Sequence, residues 1–182
     1  MSILDFLTYQ AQASEDDWDS MYELGLCYAN GNGTDKNPEE AFECFLNSAK
    51  HGHKEAQYAV ATCYDCGRGV KENPNEALYW YEKSAQQKNA QALYKLGCLH
   101  IEGTPLVNKN KIKGLDFILN AYKLGLKDSE AVLTFLYKLY KTSYPIYKGK
   151  RMSDDYIFEL SNLVENANSG DEESILIINS IL

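Results

Sequence analysis

Two kinds of side chain in this sequence could support chemistry, the thiols and the imidazoles. Cys63 and Cys66 form a Cys-x-x-Cys pair, a spacing used in zinc sites and in thiol–disulfide exchange. Zinc needs four ligands, and no second Cys-x-x-Cys or His-x-x-x-His lies at a suitable spacing. A thioredoxin-like pair would occur in a βαβ context, whereas the pattern here is helical. We therefore interpret the pair as small core hydrophobes.

The three histidines do not suggest a reaction either. His51 and His53 lie near an expected turn, where we expect them to be exposed, and His100 stands where earlier repeats carry an aromatic residue. None has a neighbouring Ser, Cys or carboxylate pattern of the kind that a nucleophile or metal site requires. The sequence predicts no catalytic residue, no metal and no cofactor, and an enzyme is the weakest hypothesis.

The composition of the chain excludes some classes of binding partner. The chain has 18 basic and 26 acidic residues and a net charge of -8, which argues against binding to a phosphate backbone. Its first residues lack a basic segment, and Asp5 interrupts their apolar run, so they predict neither a signal peptide nor a membrane span. Five cysteines, an odd number, fit a reducing environment. We expect a cytoplasmic protein that does not bind nucleic acid and does not insert into a membrane.

The same residues recur at a spacing of 36, which indicates internal repeats. The recurring sets are Tyr22, Tyr58 and Tyr94; Gly31, Gly67 and Gly103; Pro38 and Pro74; and Ala41 and Ala77. A fixed period in this range is the signature of a solenoid. In each unit a first helix (helix A) ends at a glycine turn and a second (helix B) follows, beginning at a proline in the first two units.

These units divide the chain. We predict repeats at 20–55, 56–91 and 92–130, a degenerate repeat at 131–173, and half-repeat capping helices at 1–19 and 174–182, all in one domain, 1–182. Helix A is expected at 20–30 and 56–66, and helix B at 38–51 and 74–87. Ser153 and Asp154 are the expected N-cap of the penultimate helix.

The repeat resembles that of the Sel-1-like repeat family, relatives of the tetratricopeptide repeat. The matching residues are Leu24, Gly25, Tyr28, Gly31 and Gly33; Tyr64, Gly67, Gly69, Val70, Trp80 and Tyr81; and Leu96, Gly97, Gly103, Gly125 and Ala131. The resemblance implies an α-solenoid and a role as an interaction module, with no catalytic centre common to the family. We expect an all-α, right-handed α-solenoid of about ten antiparallel helices.

The resemblance also implies that helix A lines a concave surface. With Val60 at the centre of the buried stripe of helix A, helical periodicity places one set of positions on the opposite side of the helix. We predict that the residues at these positions in the successive units bind the partner. They are Tyr22, Leu26, Tyr58, Thr62, Asp65, Tyr94, Cys98, Ile101, Leu133, Tyr137 and Tyr140. The three tyrosines spaced by 36 form either an aromatic ladder along a groove or part of the core between repeats, and the sequence leaves both interpretations open.

A second candidate contact is the basic segment within residues 142–152. Lys148, Lys150 and Arg151 could engage an acidic patch on a partner, or they could be solvated loop charges. The function predicted from these features is a non-catalytic protein–protein interaction module, an adaptor or scaffold that binds a protein or peptide in its groove. The alternative is a dedicated inhibitor, such as an immunity protein that neutralises a toxin. We expect a monomer or weak self-association.

Overall fold

The computed structural model describes residues 3–13, 17–143, 146–147, 150–151 and 155–182. This part of the chain contains ten α-helices and one two-residue β-ladder. The elements are α1 (Ile3–Gln12), α2 (Trp18–Asn30), α3 (Pro38–Lys50), α4 (Lys54–Cys66), α5 (Pro74–Gln86), α6 (Ala90–Glu102), α7 (Lys111–Lys123), α8 (Lys127–Ser143), β1 (Ile146–Tyr147), β2 (Lys150–Arg151), α9 (Tyr156–Asn168) and α10 (Glu172–Ile181). They form two compact units, unit 1 (Met1–Asn89) and unit 2 (Ala90–Leu182).

Side-chain caps fix where the helices begin. Asn37 and Asn73, which precede the two prolines, each accept a hydrogen bond from the backbone N–H three residues on. Asp17 caps α2 in the same way, so that helix begins at Trp18, earlier than the expected residue 20. For α9 the cap is Asp155, which corrects the expected pair Ser153 and Asp154; those two lie outside the described residues.

The glycine turns end α2 and α4 as expected. Gly31 and Gly67 both adopt the left-handed conformation, with φ of 76° and 64°, and their N–H groups donate to the carbonyls of Cys27 and Cys63. Gly69 lies against the first turn of α3. A Cβ atom at Gly69 would lie 1.9 Å from the carbonyl oxygen of Pro38.

In unit 1, each helix packs against its neighbours along the chain. Small residues allow close approach, since a Cβ at Gly25 in α2 would lie only 2.6 Å from Phe45 Cε1 in α3. Two buried serines on helix B also tie the pairs together. The hydroxyls of Ser48 and Ser84 donate to the carbonyls of Trp18 and Lys54, each at 2.7 Å.

Helix α1 packs as a helix B would. The edge-on contact between Phe6 and Tyr28 has its counterpart 36 residues later, between Phe42 and Tyr64. Its outer side chains differ from those of α3, however. Ile3, Leu4 and Leu7 are exposed at positions where α3 carries exposed glutamates, Glu39, Glu40 and Glu43.

Unit 2 is built around one hydrophobic cluster. Helices α7 to α10 supply its buried side chains, which include Leu115, Ile118, Leu133, Leu160 and Ile178. Helices α6 and α7 approach closely at two glycines, because a Cβ at Gly97 would lie 2.6 Å from Ile118 Cγ1 and one at Gly114 would lie 2.6 Å from Ile101 Cγ1. Between α8 and α9, β1 and β2 pair in antiparallel register, Ile146 with Arg151 and Tyr147 with Lys150.

The contact between Gly69 and Pro38 generates a stability prediction. Gly69 and Gly52 both have positive φ, 68° and 94°, so alanine is strained at either position, at a cost of roughly 1–2 kcal/mol. Only at Gly69 would the added methyl group also meet backbone, since nothing lies within 4 Å of a Cβ at Gly52. We expect Gly69→Ala to lower the free energy of unfolding in urea by at least about 1 kcal/mol more than Gly52→Ala. Equal losses for the two variants would contradict the described packing of this turn.

Candidate functional site

Unit 1 contains a groove of about 320 Å³ between the two helices A, α2 and α4, with α3 behind them. Four of the predicted binding residues line it: Tyr22, Leu26, Tyr58 and Thr62. The remaining lining residues come from the end of α2, from α3, from α4 and from the turn after α4; they are Ala29, Asn30, Pro38, Ala41, Phe45, Ala59, Cys63 and Arg68. We refer to this set of residues as the unit 1 groove.

Aromatic contacts hold one end of the groove. The ring of Tyr22 packs at 5.6 Å from that of Phe45 and at 4.8 Å from that of His53. Tyr58 lies 5.7 Å from the ring of Tyr81, which is buried in α5. Both groove tyrosines are half-buried, so each contributes to the packing of unit 1 and also presents surface to the groove. The sequence left open whether these tyrosines line a groove or belong to the core, and in unit 1 Tyr22 and Tyr58 do both.

His53 is a structural residue of unit 1, which corrects the expectation of an exposed turn residue. Its Nδ1 accepts a hydrogen bond of 3.1 Å from the N–H of Ala56 and so caps α4. Its Nε2 lies 3.1 Å from Asp19 Oδ1, and its side chain is only 13% exposed. His51 is exposed and stacks on Trp18, with ring centroids 3.5 Å apart, and His100 stacks on Phe117 in unit 2.

The two cysteines of the Cys-x-x-Cys pair occupy different environments. Cys63 is buried at the floor of the groove, as expected, and burial raises the pKa of its thiol to about 11, although the nearby Arg68 guanidinium opposes that shift. Cys66 is exposed, which corrects its assignment to the core, because it lies at the last turn of α4 where that helix leaves the packed layer. No group of three or more potential metal ligands occurs among the described residues.

Asp65, a further predicted binding residue, does not line the groove. Its carboxylate accepts a hydrogen bond of 3.2 Å from the hydroxyl of Tyr81. Burial, followed by the neighbouring carboxylate of Asp65, raises the pKa of the Tyr81 hydroxyl, so this proton stays in place and the hydrogen bond links α4 to α5. Asp65 is therefore engaged on the α5 side of α4.

The predicted binding residues of unit 2 are distributed differently. Leu133 and Tyr137 are core residues, 0% and 8% exposed, which corrects their assignment to a binding surface. Their helix, α8, lies against α7, α9 and α10 and turns this face inward, while Phe135 is 61% exposed. Tyr94 and Ile101 are half-buried against the same core, and Cys98 is half-buried, with a pKa raised by burial.

Four predicted contact residues fall where the structure gives no side-chain description. Tyr140 belongs to α8, and Lys150 and Arg151 form β2; the side chains of all three lie outside the described part of the chain. Lys148 lies outside it altogether. The basic segment at 142–152 therefore remains a prediction from the sequence.

Unit 2 also has a cavity that the sequence did not suggest, of about 350 Å³ between α7 and α9. Its lining includes three charged residues, Asp116, Lys123 and Glu165, and it also includes Ser161, whose buried hydroxyl has no hydrogen-bond partner in the described structure. The unit 1 groove differs, because Arg68 is the one charged residue in its lining.

Paired helices joined by glycine turns and repeated every 36 residues define an all-α solenoid of helical hairpins. The chain belongs to the Sel1 repeat family, whose repeat model matches residues 18–53, 54–89 and 90–126. Each matched repeat begins two residues before the boundary expected from the sequence, at the first residue of α2, α4 and α6. Sel1 repeats are generally protein–protein interaction modules and typically non-catalytic.

Solved structures with the same fold support this assignment. A Sel1 repeat protein from Oxalobacter formigenes is 27% identical, with a TM-score of 0.63, over 71% of this chain and 97% of that one. A protective antigen of uropathogenic Escherichia coli with an SLR fold is 22% identical, with a TM-score of 0.67, over 98% of this chain but only 36% of the antigen. No curated protein matches the chain. No helix in the described residues is long and apolar enough to cross a membrane.

The different environments of Cys63 and Cys66 predict different reactivities. Iodoacetamide reacts with the thiolate, and a pKa of about 11 leaves little Cys63 thiolate at pH 8. We expect Cys66 to be alkylated at least about tenfold faster than Cys63 at that pH, and the Cys63 rate to rise about tenfold per pH unit towards 11. Peptide mapping by mass spectrometry measures both rates. Fast alkylation of Cys63 at pH 8 in the folded protein would contradict its placement.

Proposed function

We propose that the protein is a non-catalytic adaptor that binds a segment of a partner protein in the unit 1 groove. The observation that carries the proposal is that equivalent outward-facing positions of α2 and α4 line one groove. Leu26 and Thr62, which are 36 residues apart, both line it, and Tyr22 and Tyr58 lie beside them. Family membership supports the proposal, because Sel1 repeats generally mediate protein–protein interactions.

The groove has the properties of a peptide site. Tyrosine offers a large contact area and a polar tip with few rotors to immobilise, and two tyrosines lie in the lining. The hydroxyl of Thr62 already donates to the carbonyl of Ala59 at 2.7 Å, so the centre of the groove presents few unmet polar groups. Leu26, Ala59 and Phe45 add apolar surface there. An apolar side chain of a partner would be desolvated against these residues.

Filling the groove with a long side chain tests the proposal. Thr62 is half-buried, and Thr62→Arg would place a bulky cation between α2 and α4. We therefore expect this variant to lose binding of the partner. Gln86→Arg is the matched control, because it adds the same charge on an exposed helix position of unit 1 outside the groove. The measurement is affinity capture from extract of the cells that make the protein, with quantitative mass spectrometry of the captured proteins.

We expect the wild type and Gln86→Arg to capture the same partner in similar amounts. Thr62→Arg should capture at least about tenfold less of it. Thermal unfolding of all three proteins shows whether the fold is intact. A partner that Thr62→Arg retains would contradict the proposed groove. Assay of the captured partner separates the two roles, since an inhibitor abolishes its activity in fixed stoichiometry whereas an adaptor bridges at least two proteins.

A further inference from the structure

The groove carries a positive charge at one end, the guanidinium of Arg68. Arg68 lies in the turn after α4, held between Gly67 and Gly69, where its backbone N–H donates to the carbonyl of Cys63 at 3.0 Å. Its guanidinium forms no ion pair and no hydrogen bond with any residue that the structure describes. An arginine that is fixed at its backbone and free at its side chain is available to a ligand.

Asn30 adds a second free donor at the same end. It closes α2 as Arg68 follows α4, and because α2 and α4 are equivalent helices of successive repeats, these C-terminal ends lie on one edge of the groove. The carboxamide of Asn30 forms no hydrogen bond within the described residues. A guanidinium and an amide together match a carboxylate, which can accept from both.

Arg68 is the single charged residue in the groove lining. Glu39 and Glu72 flank its turn, but neither lines the groove and neither forms an ion pair with Arg68 among the described residues. Asp65 accepts a hydrogen bond from Tyr81 on the α5 side of α4. The chain as a whole carries a net charge of -8, so a positive groove end contrasts with the molecule around it. A local cation is needed if an acidic partner segment is to approach an acidic protein.

We propose that the occupant of the unit 1 groove is a protein segment in which an apolar side chain lies next to an Asp or Glu, with the apolar side chain between Leu26 and Thr62 and the carboxylate on Arg68 and Asn30. This inference rests on the proposed function and specifies the chemistry of the partner.

The carboxylate is assigned to a side chain of the partner rather than to its C-terminus. Backbone nests of free N–H groups capture chain termini. Here the first two backbone N–H groups after each helix are already used: Gly31 and Asn32 donate to Cys27, and Gly67 and Arg68 donate to Cys63. The assignment therefore uses the side-chain donors of Arg68 and Asn30, both of which line the groove.

A defined peptide mixture tests the inference. Synthetic dodecapeptides randomised at every position, prepared once with amidated and once with free C-termini, are selected on the immobilised full chain and sequenced by mass spectrometry. We expect binders from the amidated mixture, enriched in Asp or Glu beside apolar residues. Individual binders resynthesised with Asp→Asn or Glu→Gln should bind at least about tenfold more weakly in fluorescence anisotropy.

Protein variants assign the effect to Arg68. Arg68→Gln should abolish the preference for acidic over amide peptides, and Arg68→Lys should retain part of it, because it keeps the charge but loses the planar fork. Lys71→Gln is the matched control, since it removes an exposed positive charge three residues away, outside the groove, and should leave the preference unchanged. Added salt should weaken the binding of the acidic peptides more than the binding of their amide counterparts.

The outcomes that would overturn the inference are distinct from those that would overturn the proposed function. Binders without acidic residues, lost on Thr62→Arg, would leave the groove in place and contradict the assigned partner chemistry. Binders from the free-terminus mixture alone would place a chain terminus on Arg68 and contradict the side-chain assignment. Absence of binders, or binders that Thr62→Arg retains, would contradict the groove itself and the inference with it.

Discussion

The packing of Phe45 on Gly25 is the contact on which the groove of unit 1 depends. The ring occupies the space that a Cβ at Gly25 would fill, at 2.6 Å, so α2 and α3 approach closely. The same ring contacts Tyr22 and lines the groove between α2 and α4. A side chain at Gly25 would therefore displace Phe45, and with it both the helix contact and the groove floor.

Around that contact, polar interactions set the position of each helix. Buried serines of helix B bind the first carbonyl of helix A in the same repeat pair, and asparagine caps begin α3 and α5. Gly69 brings the turn after α4 onto the start of α3, and the same turn carries Arg68 to the edge of the groove. One turn thus contains both a scaffold residue and a candidate binding residue, since Gly69 packs against α3 and the neighbouring Arg68 lines the groove.

The repeat period was sufficient to predict the fold and four of the residues that line the unit 1 groove. Leu26 and Thr62 could be assigned to the groove because helical periodicity relates them to the buried stripe and a period of 36 relates them to each other. Leu133 and Tyr137 were misplaced because the period fails in α8. There Leu136 replaces the glycine that allows close approach in α6, Phe135 is exposed, and the positions extrapolated from Tyr94 and Cys98 turn into the core.

The 36-residue period does not predict the helix caps or the side chain between the turn glycines. Asp17 and His53 cap their helices through side-chain hydrogen bonds, so α2 and α4 begin two residues before the stripe of small residues that marked them in the sequence. Arg68 stands at the variable position between two glycines, where the repeat specifies the backbone but not the side chain. Its position at the edge of the groove is visible only in the folded structure.

The central claim is that a partner segment lies between α2 and α4. The most direct measurement is a titration of isotope-labelled protein with a bound peptide, followed through the backbone amide signals of Leu26 and Thr62. We predict that these signals shift with peptide concentration, together with the side-chain signal of Arg68, while those of Leu133 and Leu176 in unit 2 do not. Shifts confined to unit 2 or to the exposed apolar residues of α1, with Leu26 and Thr62 unchanged, would contradict the account.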